Sequence, residues 1–95
     1  NEIDAVIATG ESVAVSAMKA IKKSGKKIPK DVAVIAYSNG ILSRHSSPKM
    51  TTISQHGEQM GAKATQILID KLKNKNTDII TEVIKTDIVL RDSTR

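Results

Sequence analysis

The sequence has no cysteine, no phenylalanine and no tryptophan, and Tyr37 is its one aromatic residue. Without cysteine there is no disulfide scaffold, no thiolate metal site and no cysteine nucleophile, which leaves the redox compartment open and slightly favours a reducing cytosol. One tyrosine cannot supply the base-stacking platform of an RNA-recognition sheet or an oligonucleotide-binding barrel. Nor can it make a two-ring sandwich around a sugar. Long apolar runs are missing too. The longest uncharged one, Val32 to Tyr37, falls far short of the ~20 residues that span a bilayer. No secretory pattern precedes Glu2, and the chain opens on Asn1. A soluble piece with no membrane partner is expected. At 95 residues, a chain buries roughly 60–65% of the surface its unfolded form exposes.

What is present is lopsided charge. The net value is +5, and Lys19, Lys22, Lys23, Lys26, Lys27 and Lys30 crowd into one short stretch. Such a cluster resembles a nucleic-acid footprint. It lacks interleaved aromatics, however, and Ser24 is its one hydroxyl. Cations that complement a helix C-terminus and keep the surface soluble explain it better.

The pattern along the chain is that of an α/β protein. Asp4–Ala8 is a short apolar run, as in a buried strand. Ala14, Ala17, Met18 and Ile21 then form one helical stripe, Gly25 stands at the expected left-handed cap, and Pro29 follows. Val32–Tyr37 does not alternate, so both of its faces should be covered, as in a parallel sheet. These pieces make a βαβ unit. Ile41–His45 suits about one helical turn, and Pro48 favours an extended approach to a third strand at Met50–Ile53. Met60, Ala64, Ile67, Leu68 and Leu72 share the face of a helix that starts at Gly57 and stops at Asn74 and Asn76. Beyond it Ile84, Thr86, Ile88 and Leu90 alternate with Lys85, Asp87, Val89 and Arg91, a strand with one wetter face. The order is β-α-β-(α)-β-α-β, and parallel strands are expected throughout.

Ligands of open α/β sheets bind beyond the carboxyl ends of the strands. Three polar turns fall there: Thr9-Gly10-Glu11-Ser12, Ser38-Asn39-Gly40 and Ser54-Gln55-His56-Gly57. Each has a plain explanation, with Thr9 or Ser12 as a helix cap and Asn39-Gly40 as turn chemistry. Their convergence on one edge points to a ligand cleft. Glu11 stands where an anion would dock at a helix N-terminus, so a neutral, hydroxyl-rich ligand suits the set better than phosphate.

Catalysis finds little support, and no enzyme or cofactor is expected. His45 and His56 lie eleven residues apart without a regular helix between them, which is not metal-ligand spacing. There is no nucleophile elbow and no phosphate loop. Glu11, Glu58, Asp70 and Asp78 fall mostly on solvated helix positions. His56 reads as a helix-terminal or hinge residue and not as a base. Gly57 and Gly61 suggest close helix packing, not membrane pairing.

Val6–Ile21 resembles the strand-turn-helix of lactose-repressor (LacI) family regulators, and Ile28–Tyr37 is similar to their next loop and strand. Pro48-Lys49-Met50-Thr51-Thr52-Ile53-Ser54-Gln55 and the closing Val89-Leu90-Arg91-Asp92-Ser93-Thr94 carry the most specific likeness. The resemblance implies the C-terminal part of a two-lobe, periplasmic-binding-protein-like (type I) effector domain, with Rossmann-like parallel sheet segments and an incomplete fold. Residues 1–52 would belong to the C-terminal lobe. Residues 53–90 would be a crossing plus a helix and strand of the N-terminal lobe, and 91–95 the return. By the same resemblance Gly10, Glu11, Tyr37, Ser38, Gln55 and Met60 border a small, sugar-like effector. Ile53, Ser54 and Gln55 form a hinge, while Val15, Lys19, His45 and Ser46 face the partner of a homodimer. Relatives often carry Asn-Asp at Gly10-Glu11 and Asp at Ser38, so the usual carboxylate is absent at Ser38 and Glu11 offers one nearby. Operator DNA would be bound in the cytoplasm through a helix-turn-helix that this chain lacks. The competing class is a solute-binding protein that feeds a transporter.

Overall fold

In a computed structural model, residues 2–75 and 77–95 are described. The chain divides into two compact units, residues 1–54 with 87–95, and residues 55–86.

The first unit begins with strand β1 (Ala5–Ala8), helix α1 (Glu11–Lys23) and strand β2 (Ala33–Ala36). The short helix α2 (Ile41–His45) and strand β3 (Thr51–Ser54) follow. β1 and β2 pair in parallel with Ala8 opposite Ala36, and β2 pairs in parallel with β3 through Ile35–Thr51 and Ala36–Thr52. The expected stripe on α1 is the one that packs: Ala14 and Met18 are buried, and Ile21 is half-buried. They meet Ala8, Val34, Ala36 and Met50 on one face of the sheet. Alanines on both helix and strands let α1 approach closely, and the two methionines fill the remaining space. On the opposite face Ile7 is 76% and Ile88 63% exposed while Ile35 of β2 is half-buried, so among the described residues the both-sided covering that Val32–Tyr37 suggests is only partial. The helix ends as its sequence implies. Lys22 and Lys23 occupy the last turn, and Gly25 follows at φ +85°, a conformation that costs a residue with a Cβ about 1–2 kcal/mol.

The closing strand corrects one expectation. β4 spans Asp87–Val89, shorter than the alternation from Ile84 to Arg91, and it pairs with β3 antiparallel, Ile53 opposite Ile88. A strand's own residues do not encode the direction of its neighbour. The first three strands are parallel and the edge strand reverses.

Beyond β4 the chain turns into the seam between β2 and β3. Ser93 is fully buried there; its Oγ donates to the Val34 carbonyl at 2.6 Å and accepts from the Thr51 amide at 2.8 Å. Its own carbonyl accepts from the Val34 amide at 2.9 Å. One serine therefore closes backbone groups of two strands that have not yet paired with each other.

The second unit holds helix α3 (Gly57–Asn74) and the segment that follows. His56 precedes α3 at φ 52° and Lys75 ends it at φ 50°, both left-handed without being glycine. Asn76, expected to help stop the helix, lies outside the described residues. Of the expected apolar face Ile67 is half-buried, while Leu68 and Leu72 are 58% and 71% exposed.

Replacing Ser93 with alanine removes the partner of a buried amide and a buried carbonyl, at a cost of about 1–3 kcal/mol. Urea unfolding followed by circular dichroism should show a lower midpoint with an unchanged slope.

Candidate functional site

Because β1 and β2 run parallel and in register, the two turns after them leave the sheet at one edge. The Tyr37 amide extends this pairing by donating to the Ala8 carbonyl at 2.9 Å. Gly10, Glu11, Tyr37 and Ser38 thus all belong to the same edge of the first unit, with Tyr37 40% exposed and the other three half-buried. Gly10 is the N-cap of α1 in an extended conformation, without a side-chain capping bond, and its carbonyl accepts the first helical bond, from Ala14. Neither Thr9 nor Ser12 serves as that cap.

Glu11 is not a solvated helix carboxylate, which corrects the reading from periodicity. Its Oε2 accepts from the Ser43 amide at 2.6 Å and from the Ser43 hydroxyl at 2.5 Å. Ser43 is the third residue of α2, and the N-cap of that helix, Gly40, has no side chain to cap it. Glu11 therefore does from α1 what a capping residue does locally: it satisfies an orphan amide and sets a negative charge against the positive helix end. Five residues are too few for a helix to persist alone, so the tether defines α2. Space for the carboxylate exists because residue 40 is glycine. A Cβ there would collide with Glu11 Oε1 and stand 2.9 Å from Cδ. The Ser43 hydroxyl has one proton, and its shortest contact is Oε2; the Ser38 carbonyl lies farther off at 3.3 Å.

Arg91 braces the turn after β2. Its Nη1 donates to the Met50 carbonyl at 2.7 Å and to Thr52 Oγ1 at 3.1 Å, and its Nη2 donates to Asn39 Oδ1 at 2.6 Å. Thr52 Oγ1 donates to the same Asn39 oxygen at 3.1 Å. Asn39 is thereby held from β3 and from the return segment at once.

The remaining expected residues occupy other places. Ile53 and Ser54 are half-buried at the end of β3, opposite Ile88 and Asp87. Gln55 and Met60 belong to the second unit, where Met60 lines a groove of about 270 Å³ between α3 and residues 80–84. Lys63 and Glu82 form an ion pair of 3.5 Å at its side. In the first unit Val15, Lys19, His45 and Ser46 come together along a groove of about 420 Å³ between α1 and α2. Met18, Leu42, Lys22 and Ser47 complete its lining, and Lys22 Nζ donates to the Ser47 carbonyl. No group of His, Asp and Glu capable of holding a metal ion occurs among the described residues. Among the described residues no helix is long and apolar enough to cross a membrane.

Sequence reasoning missed Ser43, Gly40 and the Arg91–Asn39 pair. Arg91 and Asn39 were visible as a motif residue and a turn residue, yet they stand 52 positions apart. Nothing in a single chain's pattern joins positions at that separation.

The fold has known counterparts. A family profile described as a periplasmic binding protein-like domain matches residues 2–94. The chain belongs to that family. It is 35% identical over 89 residues to the ribose operon repressor of Haemophilus influenzae, covering 94% of this chain and 27% of that protein. It is 30% identical over 92 residues to the transcriptional regulator CelR of Thermobifida fusca, covering 97% and 27% respectively. Among solved structures, a CelR–cellobiose complex superposes with a TM-score of 0.92 at 30% identity, over 97% of this chain and 28% of that one. The chain thus spans about a quarter of the length of these relatives, which are transcription regulators.

Glu11→Ala leaves the Ser43 amide and hydroxyl without their acceptor, and should lower stability by about 1–2 kcal/mol. Gly40→Ala should destabilise as well, through the clash with Glu11. In the double variant the two losses should not add, because the clash disappears with the carboxylate. Thermal unfolding of the four-member cycle measures that coupling.

Proposed function

We propose that this chain is the C-terminal portion of the effector-binding core of a LacI-type transcription regulator. Similarity to such regulators along the full chain carries the reading. The polar edge beyond β1 and β2 supports it. Residues 1–52 form part of the C-terminal lobe, residues 53–90 a crossing with a helix and strand of the N-terminal lobe, and residues 91–95 return.

In the first unit a small, sugar-like effector contacts Gly10, Glu11, Tyr37 and Ser38; in the second unit the effector-contacting residues are Gln55 and Met60. Ile53, Ser54 and Gln55 are the hinge. An effector that binds one lobe arrangement more tightly shifts the population toward it, and its coupling to DNA affinity equals that differential affinity. Glu11 has a double task in this scheme, because its Oε2 organises α2 while Oε1 has no hydrogen-bond partner among the described residues. Homodimerisation uses the groove at Val15, Lys19, His45 and Ser46. Its apolar floor of Val15, Met18 and Leu42 suits burial against a second copy. Operator DNA is bound by a helix-turn-helix outside this chain, in the cytoplasm, and the protein is not an enzyme.

Cellobiose and ribose are the first effectors to try, since proteins named for them are similar to this chain. Thermal shift of the full regulator should rise with the cognate sugar by RT ln(1 + [L]/Kd) in stability, about 2.7 kcal/mol at a hundredfold excess over Kd. Absence of any shift across a broad sugar panel would sink the effector assignment. For the dimer, Leu42→Asp places a charge on the groove floor and should yield monomers in sedimentation velocity, with the circular dichroism spectrum unchanged.

A further inference from the structure

The orientation of the Asn39 amide is dictated by chemistry. A guanidinium has five donors and no acceptor, so the atom that faces Arg91 Nη2 at 2.6 Å has to be the oxygen. The Thr52 hydroxyl also reaches that oxygen, at 3.1 Å, while Thr52 itself accepts from Arg91. Arg91 is anchored in turn on the Met50 carbonyl at 2.7 Å, and Met50 is fully buried. Asn39 therefore cannot flip without setting donor against donor. Its Nδ2 faces away from this cluster and has no hydrogen-bond partner among the described residues.

The charges around it lean the same way. Three neutral oxygens surround the Arg91 guanidinium, and no carboxylate pairs with it among the described residues. The neighbouring Ser38 contributes a hydroxyl. Glu11, the carboxylate of this edge, is drawn onto α2 by Ser43.

We propose that Asn39 contacts the effector through Nδ2, as a fixed donor backed by the Arg91 charge, and that it selects an effector oxygen that accepts without donating: a carboxylate, as in an acidic sugar. The proposal rests on the effector-site reading above. Arg91 is the positioning residue, and Asn39 the specificity-determining one.

Calorimetry on the full regulator with glucose, glucuronate, galactose and galacturonate tests this. The better acid should bind at least about tenfold more tightly than its neutral parent, as expected of one charged hydrogen bond. Asn39→Asp keeps an acceptor for Arg91 but turns the outward atom into a carboxylate oxygen. It should lose about tenfold or more for the acid and under about threefold for the neutral sugar. Its unfolding midpoint should equal or exceed that of the unchanged protein, since Arg91 gains a carboxylate. Arg91→Lys keeps the charge without the fork, and should shrink the acid-to-neutral ratio; this arm decides if Asn39→Asp fails to fold. Equal binding of acid and neutral sugars by the unchanged protein overturns the proposal, as does an Asn39→Asp variant with the same ratio. If none of the four binds the unchanged protein while cellobiose, ribose or another neutral sugar does, the proposal falls and the sugar-effector reading stands; if no sugar of the broad panel binds, both fall.

Discussion

The insertion of the chain's last residues between β2 and β3 is the constraint on which the first unit depends. β2 and β3 pair directly at Ile35–Thr51 and Ala36–Thr52. One residue earlier they diverge, and the Ser93 hydroxyl bridges the Val34 carbonyl and the Thr51 amide. A buried amide and a buried carbonyl left open at this seam would cost more than the net gain of an ordinary hydrogen bond. The same return segment places Arg91 under the turn after β2, and Thr94 Oγ1 beside Thr51 Oγ1 at 2.7 Å. Strand pairing, the seam and the turn after β2 are thus tied together by a stretch at the far end of the sequence.

A second tie acts on the same edge from the other side. The Glu11 carboxylate crosses from the first turn of α1 to the start of α2, where Gly40 leaves room for it. The groove assigned to dimerisation lies between these two helices. A carboxylate that organises α2 therefore links the edge beyond β1 and β2 to the groove between α1 and α2. Coupling between two such sites needs a shared element with more than one arrangement, and a five-residue helix held by one side chain is a suitable candidate.

Much of the architecture was legible in the residues. The Ala14–Ala17–Met18–Ile21 stripe, the glycine at position 25 and the strands at Ala5–Ala8 and Ala33–Ala36 follow from period, cap and composition, which act over a few residues. The one-turn helix at Ile41–His45 was legible for the same reason. The direction of β4 was not. Its alternation distinguishes faces, whereas its antiparallel partner is decided by where the chain returns. Glu11 misled the periodicity argument because that argument sees one helix at a time, and the donors to its carboxylate are on another. At Ile7 and Ile88 the pattern asked for cover, and the described residues leave both exposed.

The apolar periods determined by themselves an α/β chain with polar turns at its strand ends, and the two closing motifs carried its resemblance to LacI-family regulators. Those are local properties, set by side-chain size, polarity and spacing. Only the tertiary structure decided which polar groups are consumed in internal hydrogen bonds. Glu11 Oε2 is used on Ser43, and Asn39 Oδ1 on Arg91 and Thr52. The physical reason is that a hydrogen bond is assigned by distance and by which atom can donate, and neither is written in the order of the residues.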